Sequence, residues 1–144
     1  MRWLALAVLA ATLACVPGDG PLMEPGENCQ GCHGDGKETL YQGERARHAT
    51  TWTIAGTVYD AANTGKAVEG AQVRITDANG FAFSLRANLA GNFYSKEAVA
   101  LPLQACIDFG AKTVCQQSPV TSGSCNLCHN QLTDGAPQPP LAAP

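Results

Sequence analysis

The chain has 144 residues, of which 15% are charged, and its formal net charge at pH 7 is −3. This length is enough for one modest domain with flanking segments. The weakly acidic balance argues against nucleic acid as a partner, because binding to phosphates needs clustered Lys and Arg.

The N-terminus has the pattern of an export signal. Met1 to Trp3 form a short positive start, residues 4–13 are apolar, and small residues follow. This apolar run is too short to remain as a membrane-spanning helix. We therefore predict a signal peptide over residues 1–14 and a protein exported by a Gram-negative bacterium to its periplasm or cell surface.

Cys15 follows the predicted signal directly. The stretch Thr12 to Cys15 resembles the lipobox of bacterial lipoproteins, which implies lipidation of Cys15 and anchoring to a membrane. Ordinary cleavage near Ala14 is the alternative, but an unpaired cysteine here in an exported protein favours the lipoprotein. Residues 15–28 are rich in Pro and Gly and predict a tether without a fold of its own.

The pentapeptide Cys29-Gln30-Gly31-Cys32-His33 comes next and opens a segment over residues 29–50. In an exported chain this spacing is the attachment signature of c-type haem. Cys29 and Cys32 are predicted to add to the two vinyl groups of one haem, and His33 to ligate its iron.

The middle of the chain, residues 51–118, alternates between apolar and polar residues with a period of two. Such alternation over short runs predicts strands of an antiparallel β-sandwich. Turn residues separate the runs at 77–80 and 88–92, and Pro102 restricts its run to an edge or a bulge. The apolar positions expected to point to the core include Trp52, Ile54, Gly56, Val58, Val73, Ile75, Phe81, Phe83 and Phe93.

Cys106 and Cys115 flank a turn sequence over residues 108–112 near the end of this region. In an oxidising compartment they are predicted to close a short loop as a structural disulfide. A reactive redox pair is the alternative, but no neighbouring base or helix start supports it.

A second copy of the pentapeptide, Cys125-Asn126-Leu127-Cys128-His129, lies in a segment over residues 119–133. Cys125 and Cys128 are predicted to hold a second haem, with His129 as ligand to its iron. The Pro-rich tail over 134–144 is expected to be extended.

These cysteines also allow two other interpretations. The two pairs could complete a four-cysteine zinc site, or each could be a redox dithiol. Zinc does not require a histidine after the second cysteine in both copies, and the βαβ context of a thioredoxin-like dithiol is missing. Haem attachment is therefore favoured, and the fold class predicted is an all-β sandwich flanked by two short, mostly irregular haem-binding segments.

The sandwich region also carries a family resemblance. The stretches 56–60, 68–73 and 88–93 resemble the carboxypeptidase regulatory-like domains over about residues 53–95, with Ala90 where those domains usually carry Asp. The resemblance implies a non-catalytic, prealbumin-type sandwich. With a motif on each side, the whole chain is similar to small exported dihaem cytochromes, which implies electron transfer.

The sixth ligand of each iron is not fixed by the pentapeptides. Only His48 and Met23 are further His or Met residues in the mature chain, and both are candidate ligands. His48 could equally be a solvated histidine beside two arginines, and Met23 an exposed residue of the tether.

The predicted function is a dihaem electron carrier, not an enzyme, in which the sandwich separates two incompletely enclosed haems. Its partners are expected to be redox proteins or neighbouring copies of the chain, reached through exposed haem edges. Two alternatives remain: a peroxidase-like enzyme with an open axial position, and a non-haem binding module with a four-cysteine zinc site.

Overall fold

The structure is a computed structural model that describes residues 22, 23, 25–34, 38–41, 44–47, 51–61, 65–129 and 141–144, with backbone alone at 38–41 and 44–47. The described elements are short strands with two helical turns, so the predicted all-β class is confirmed. In chain order they are α1 (Cys29–His33), β1 (Glu38–Tyr41), β2 (Glu44–Arg47), β3 (Ile54–Thr57), β4 (Tyr59–Asp60), β5 (Gln72–Thr76), β6 (Ala82–Arg86), β7 (Asn92–Ser95), β8 (Gln104–Phe109), β9 (Lys112–Cys115), α2 (Cys125–Cys128) and β10 (Ala142–Ala143).

The largest sheet is antiparallel and has the strand order β6-β5-β8-β9. A second layer contains β3 paired antiparallel with β7. Two further pairs are described, the antiparallel β1-β2 hairpin and the parallel pair of β4 with β10. The hairpin lies in the segment 29–50, for which the sequence predicts a mostly irregular structure.

The core lies between the four-stranded sheet and the β3-β7 pair. Strand β5 shows the expected alternation, since Val73 and Ile75 are buried while the residues between and beside them are exposed. They belong to one cluster with Ile54 of β3, Phe93 of β7 and Ile107 of β8. Removing these side chains from water is the main term that stabilises the sandwich, at roughly 1.5–3 kcal/mol for each large one.

The two predicted turns are present. In the first, Gly80 has a φ of 82°, and the Asp77 carboxylate accepts hydrogen bonds from the backbone N–H groups of Asn79, Phe81 and Ala100. In the second, Gly91 has a φ of 73°, and an added Cβ would lie 2.5 Å from the Val58 carbonyl oxygen. Glycine is required there both for its backbone conformation and for the space.

The predicted disulfide is confirmed. Cys106 of β8 and Cys115 of β9 lie directly opposite each other in the antiparallel register, and their sulfur atoms are bonded. The turn between them has Gly110 at a φ of 60°.

Some sequence predictions differ from the structure. Phe81, which the alternation assigns to the core, is 47% exposed, because it lies just before the edge strand β6. The run around Pro102 becomes regular only at Gln104, where β8 begins. Two pairings cross the predicted segment boundaries, since Val120 pairs with Leu103 and residues 142–143 pair with β4 as β10.

Several predictions fall outside the described residues. These are the signal peptide at 1–14, the lipidated Cys15 and the ligand His48. Within the described part of the chain, neither helix is of the length that a membrane span needs.

Candidate functional site

The first pentapeptide forms helix α1, which docks at the start of β3. The backbone N–H of Trp52 donates to the His33 carbonyl at 3.0 Å. The side-chain amide of Gln30, one of the two variable positions of the pentapeptide, donates to the carbonyls of Trp52 and Thr53 at 3.0 and 3.1 Å. The helix is therefore held by hydrogen bonds to backbone that precedes the strand.

The second pentapeptide forms helix α2 along the other edge of β3, the edge that β7 leaves free. The N–H of Ala55 donates to the Gly123 carbonyl at 2.9 Å, and the N–H of Thr57 donates to Asn126 Oδ1 at 2.9 Å. An edge strand with unpaired backbone groups is open to association with other chains. Here residues 123–126 satisfy that edge.

Glycine makes this close approach possible. An added Cβ at Gly56 would lie 2.7 Å from the Phe93 ring and 2.8 Å from Cys125 Cβ. An added Cβ at Gly123 would collide with the Thr53 carbonyl. Both positions are buried, so neither collision could be relieved towards solvent.

The segments that carry the two pentapeptides are joined by hydrogen bonds, whereas the sequence predicts that the sandwich separates the two motifs. The hydroxyl of Ser124 donates to Asn28 Oδ1 at 2.6 Å, and Asn126 Nδ2 donates to the Glu27 carbonyl at 2.8 Å. The reason is that both segments use β3 as their support. The sandwich lies between the two motifs in sequence, but its fold returns the chain to the same strand.

A buried polar network joins the second pentapeptide, and the residues that precede the first, to β3 and β7. The Thr57 hydroxyl accepts from Gly26 N at 2.9 Å and from Asn126 Nδ2 at 3.0 Å, and it donates to Asn92 Oδ1 at 2.7 Å. Thr57 and Asn126 are 0% exposed and Asn92 is 3% exposed. Asn92 Nδ2 in turn donates to the Leu22 carbonyl at 2.6 Å.

An apolar cavity of about 400 Å³ opens beside the second pentapeptide. Cys125, Cys128 and His129 all line it. Its apolar lining comes from both layers of the sandwich and from the chain end, and includes Val73, Phe93, Ile107, Val120 and Leu141. The volume lies within the range of about 300–1,000 Å³ that is usual for small-molecule and cofactor sites.

The thiols of Cys29 and Cys125 are both uncombined and partly buried. Burial raises the pKa of Cys125 to about 12, and the nearby Cys29 contributes to the same rise. Burial likewise raises the pKa of Cys29 to about 11. Both side chains are therefore neutral thiols at pH 7.

Cys32 is disulfide-bonded in the structure, whereas Cys128 is an uncombined, exposed thiol. A thioether at Cys32 needs a reduced thiol, so haem attachment at the first pentapeptide requires that this disulfide be opened. The second pentapeptide has both cysteines free.

Met23 lies against the histidine of the first pentapeptide. Its Sδ atom is 3.2 Å from His33 Nε2. The His33 ring also faces Trp52 at a centroid distance of 5.4 Å, and Trp52 stacks on Tyr94 at 4.4 Å. The buried indole Nε1 of Trp52 has no hydrogen-bond partner within the described part of the chain.

Seven of the predicted site residues lie in or beside the two pentapeptides: six are motif residues, and Met23 is brought to the first motif by the fold. They are Met23, Cys29, Cys32, His33, Cys125, Cys128 and His129. Within the described ranges, no group of three or more His, Cys, Asp or Glu side chains is arranged to hold a metal ion.

Sequence reasoning missed the residues that join the pentapeptides. Asn126 occupies a variable position of its motif, and Thr57 stands on the strand face that alternation assigns to solvent. The four residues of β3 are nevertheless all buried. The burial of a polar strand residue such as Thr57 cannot be predicted from the alternation, because it depends on which other segment covers that face.

Compared with protein-family models, with curated proteins and with solved structures, the chain matches none.

Proposed function

We propose that this protein is a dihaem c-type cytochrome that carries electrons and catalyses no reaction of its own. The observation that carries the proposal is the apolar cavity walled by Cys125, Cys128 and His129. Two free thiols and an imidazole at the wall of an apolar cavity are the groups that covalent haem attachment needs.

The first pentapeptide fits a second haem by different features. His33 is the proposed ligand, and Met23, whose Sδ lies 3.2 Å from His33 Nε2, is the candidate for a second protein ligand to the iron. The two side chains would have to move apart to admit a metal between them. The buried Trp52 indole N–H beside His33 is a donor without an acceptor in the described part of the chain, which suits an acidic side group of a haem.

A haem supplies a reversible one-electron couple when it is bound. The chain's own residues would anchor the haems through thioethers at Cys29, Cys32, Cys125 and Cys128, with Cys32 available after its disulfide has been reduced by a thiol reductant, and His33 and His129 would hold the iron. The apolar lining of the cavity excludes water, and a Met ligand favours a higher reduction potential.

The same proposal covers place and partners. The N-terminal signal and Cys15 support export and a lipid anchor. Leu127, within the second pentapeptide, is 56% exposed next to the proposed haem. An exposed haem edge there would suit contact with a redox protein or with a neighbouring copy of the chain. The resemblance to carboxypeptidase regulatory-like domains supports a scaffold role for the sandwich.

Covalent haem can be counted after expression with c-type maturation machinery. We expect two haems per chain by pyridine haemochrome and intact mass. The double variant Cys125→Ser/Cys128→Ser should retain one haem, because its second site has lost both attachment points.

The matched control removes the same number of cysteines elsewhere. Cys106→Ser/Cys115→Ser should keep two haems, since neither cysteine belongs to a pentapeptide, and it keeps both attachment cysteines of the cavity that Cys115 also lines. Protein that contains no haem but one zinc per chain would overturn the proposal in favour of the four-cysteine zinc site.

A further inference from the structure

A chain of three buried polar side chains runs from the second pentapeptide to Met23. Asn126 bonds to Thr57, Thr57 bonds to Asn92, and the Asn92 amide donates to the carbonyls of Leu22 and Met23 at 2.6 and 3.3 Å. The path thus begins between the two cysteines of one motif and ends at the candidate ligand of the other.

Every polar atom of these side chains is used. Asn126 accepts from Thr57 N and donates to Thr57 Oγ1 and the Glu27 carbonyl. The Thr57 hydroxyl makes three hydrogen bonds, and Asn92 accepts one and donates two. A fully satisfied buried network fixes one arrangement of its members, because any rotation leaves a buried group without a partner.

Met23 is held in a conformation that a free chain avoids. Its φ is 52°, in the left-handed region that non-glycine residues rarely adopt. Asn92 contacts the backbone on both sides of this dihedral, through the carbonyls of Leu22 and Met23. In this conformation, Met23 Sδ lies 3.2 Å from His33 Nε2. Backbone strain of this kind is often found at functional sites.

We infer that Asn92 is a positioning residue that holds Met23 as the sixth ligand of the first haem, and that Asn126, through Thr57, ties this ligand to the second haem motif. The inference rests on the proposed function. If the network had a purely structural role, variants that lack it would have a lower free energy of unfolding but the same ligation of the first iron.

The test uses the full dihaem protein and two readouts of Met ligation. These are the Met-to-iron charge-transfer band of the oxidised protein and the reduction potential of each haem by spectroelectrochemistry. Asn92→Ala should lose most of the band. Because the variant lacks a buried hydrogen-bond donor to the backbone of Met23, we expect the Met-ligated fraction to fall about tenfold. The potential of one haem should fall with it, since Met ligation raises the potential.

Asn126→Ala leaves all four attachment cysteines and both histidines in place, and should produce the same change at the first haem. Met23→Leu gives the reference for complete loss of the ligand. Asn92→Asp keeps the acceptor for the Thr57 hydroxyl and removes the amide N–H donor. It replaces Asn92→Ala in the test if the alanine variant does not fold.

The matched control is Asp77→Ala, which removes three hydrogen bonds of a buried carboxylate that involve neither pentapeptide. It should lower stability and keep the band. The inference is overturned if folded Asn92 and Asn126 variants keep the band and both potentials, or if the parent protein has two haems and no Met band. Protein without covalent haem would instead overturn the proposed function.

Discussion

At the scale of single residues, the cysteines of the pentapeptides differ in reactivity. The thiolate is the reactive form of cysteine, so a thiol whose pKa is raised reacts slowly at neutral pH. Burial raises the pKa of Cys125 to about 12 from an ordinary value of 9.0. The fold thus protects this thiol from adventitious chemistry.

We expect alkylation of Cys125 in the folded protein without haem to be about 30- to 60-fold slower at pH 7 than in urea. The rise in its pKa lowers the thiolate fraction about a thousandfold, and the greater nucleophilicity of the more basic thiolate offsets part of this fall. The rate should rise with pH towards the raised pKa. Iodoacetamide labelling followed by peptide mass mapping measures the rate. The exposed Cys128 in the same peptide is the internal control, and equal rates for Cys125 in both states would contradict the prediction.

At the scale of elements, β3 organises the site. One edge pairs with β7, the other is satisfied by residues 123–126, and α1 docks at its start. Its sequence predicts an amphipathic strand, but its four residues are all buried, as in a central strand. Gly56 is the residue that admits Cys125 to this position.

Gly56→Ala should therefore destabilise the protein by about 1–3 kcal/mol, as expected for overpacking in a buried site. The cause is the contact of the new Cβ with Phe93 and Cys125. Urea unfolding gives the change in the free energy of unfolding. Gly31→Ala is the matched control, because its nearest neighbour would be at 3.8 Å and its cost should be small.

At the scale of the whole molecule, the chain end completes the sandwich. Strand β10 pairs in parallel with β4, Ala143 is 4% exposed in the core, and Leu141 lines the cavity beside the second pentapeptide. Residues distant in sequence therefore enclose one site.

Ala143→Asp should lower the free energy of unfolding by about 3 kcal/mol or more, since it places an unpaired charge in the core. Ala111→Asp adds the same charge at an exposed position and should have little effect. Urea unfolding of both variants measures the difference. Equal stability of the two would show that β10 is not part of the folded core.

The local features of this protein follow from its sequence. Period-two alternation predicts the strands, and Gly80 and Gly91 predict the turns. The short loop between Cys106 and Cys115 predicts the disulfide. Each of these features depends on residues that are close in sequence. The haem attachment that the paired pentapeptides indicate stays a prediction. The contact between them could not be predicted, because it depends on which strand edge each segment covers. Only the tertiary packing around β3 buries Asn126, Thr57 and Asn92 together. The same packing places Met23 beside His33.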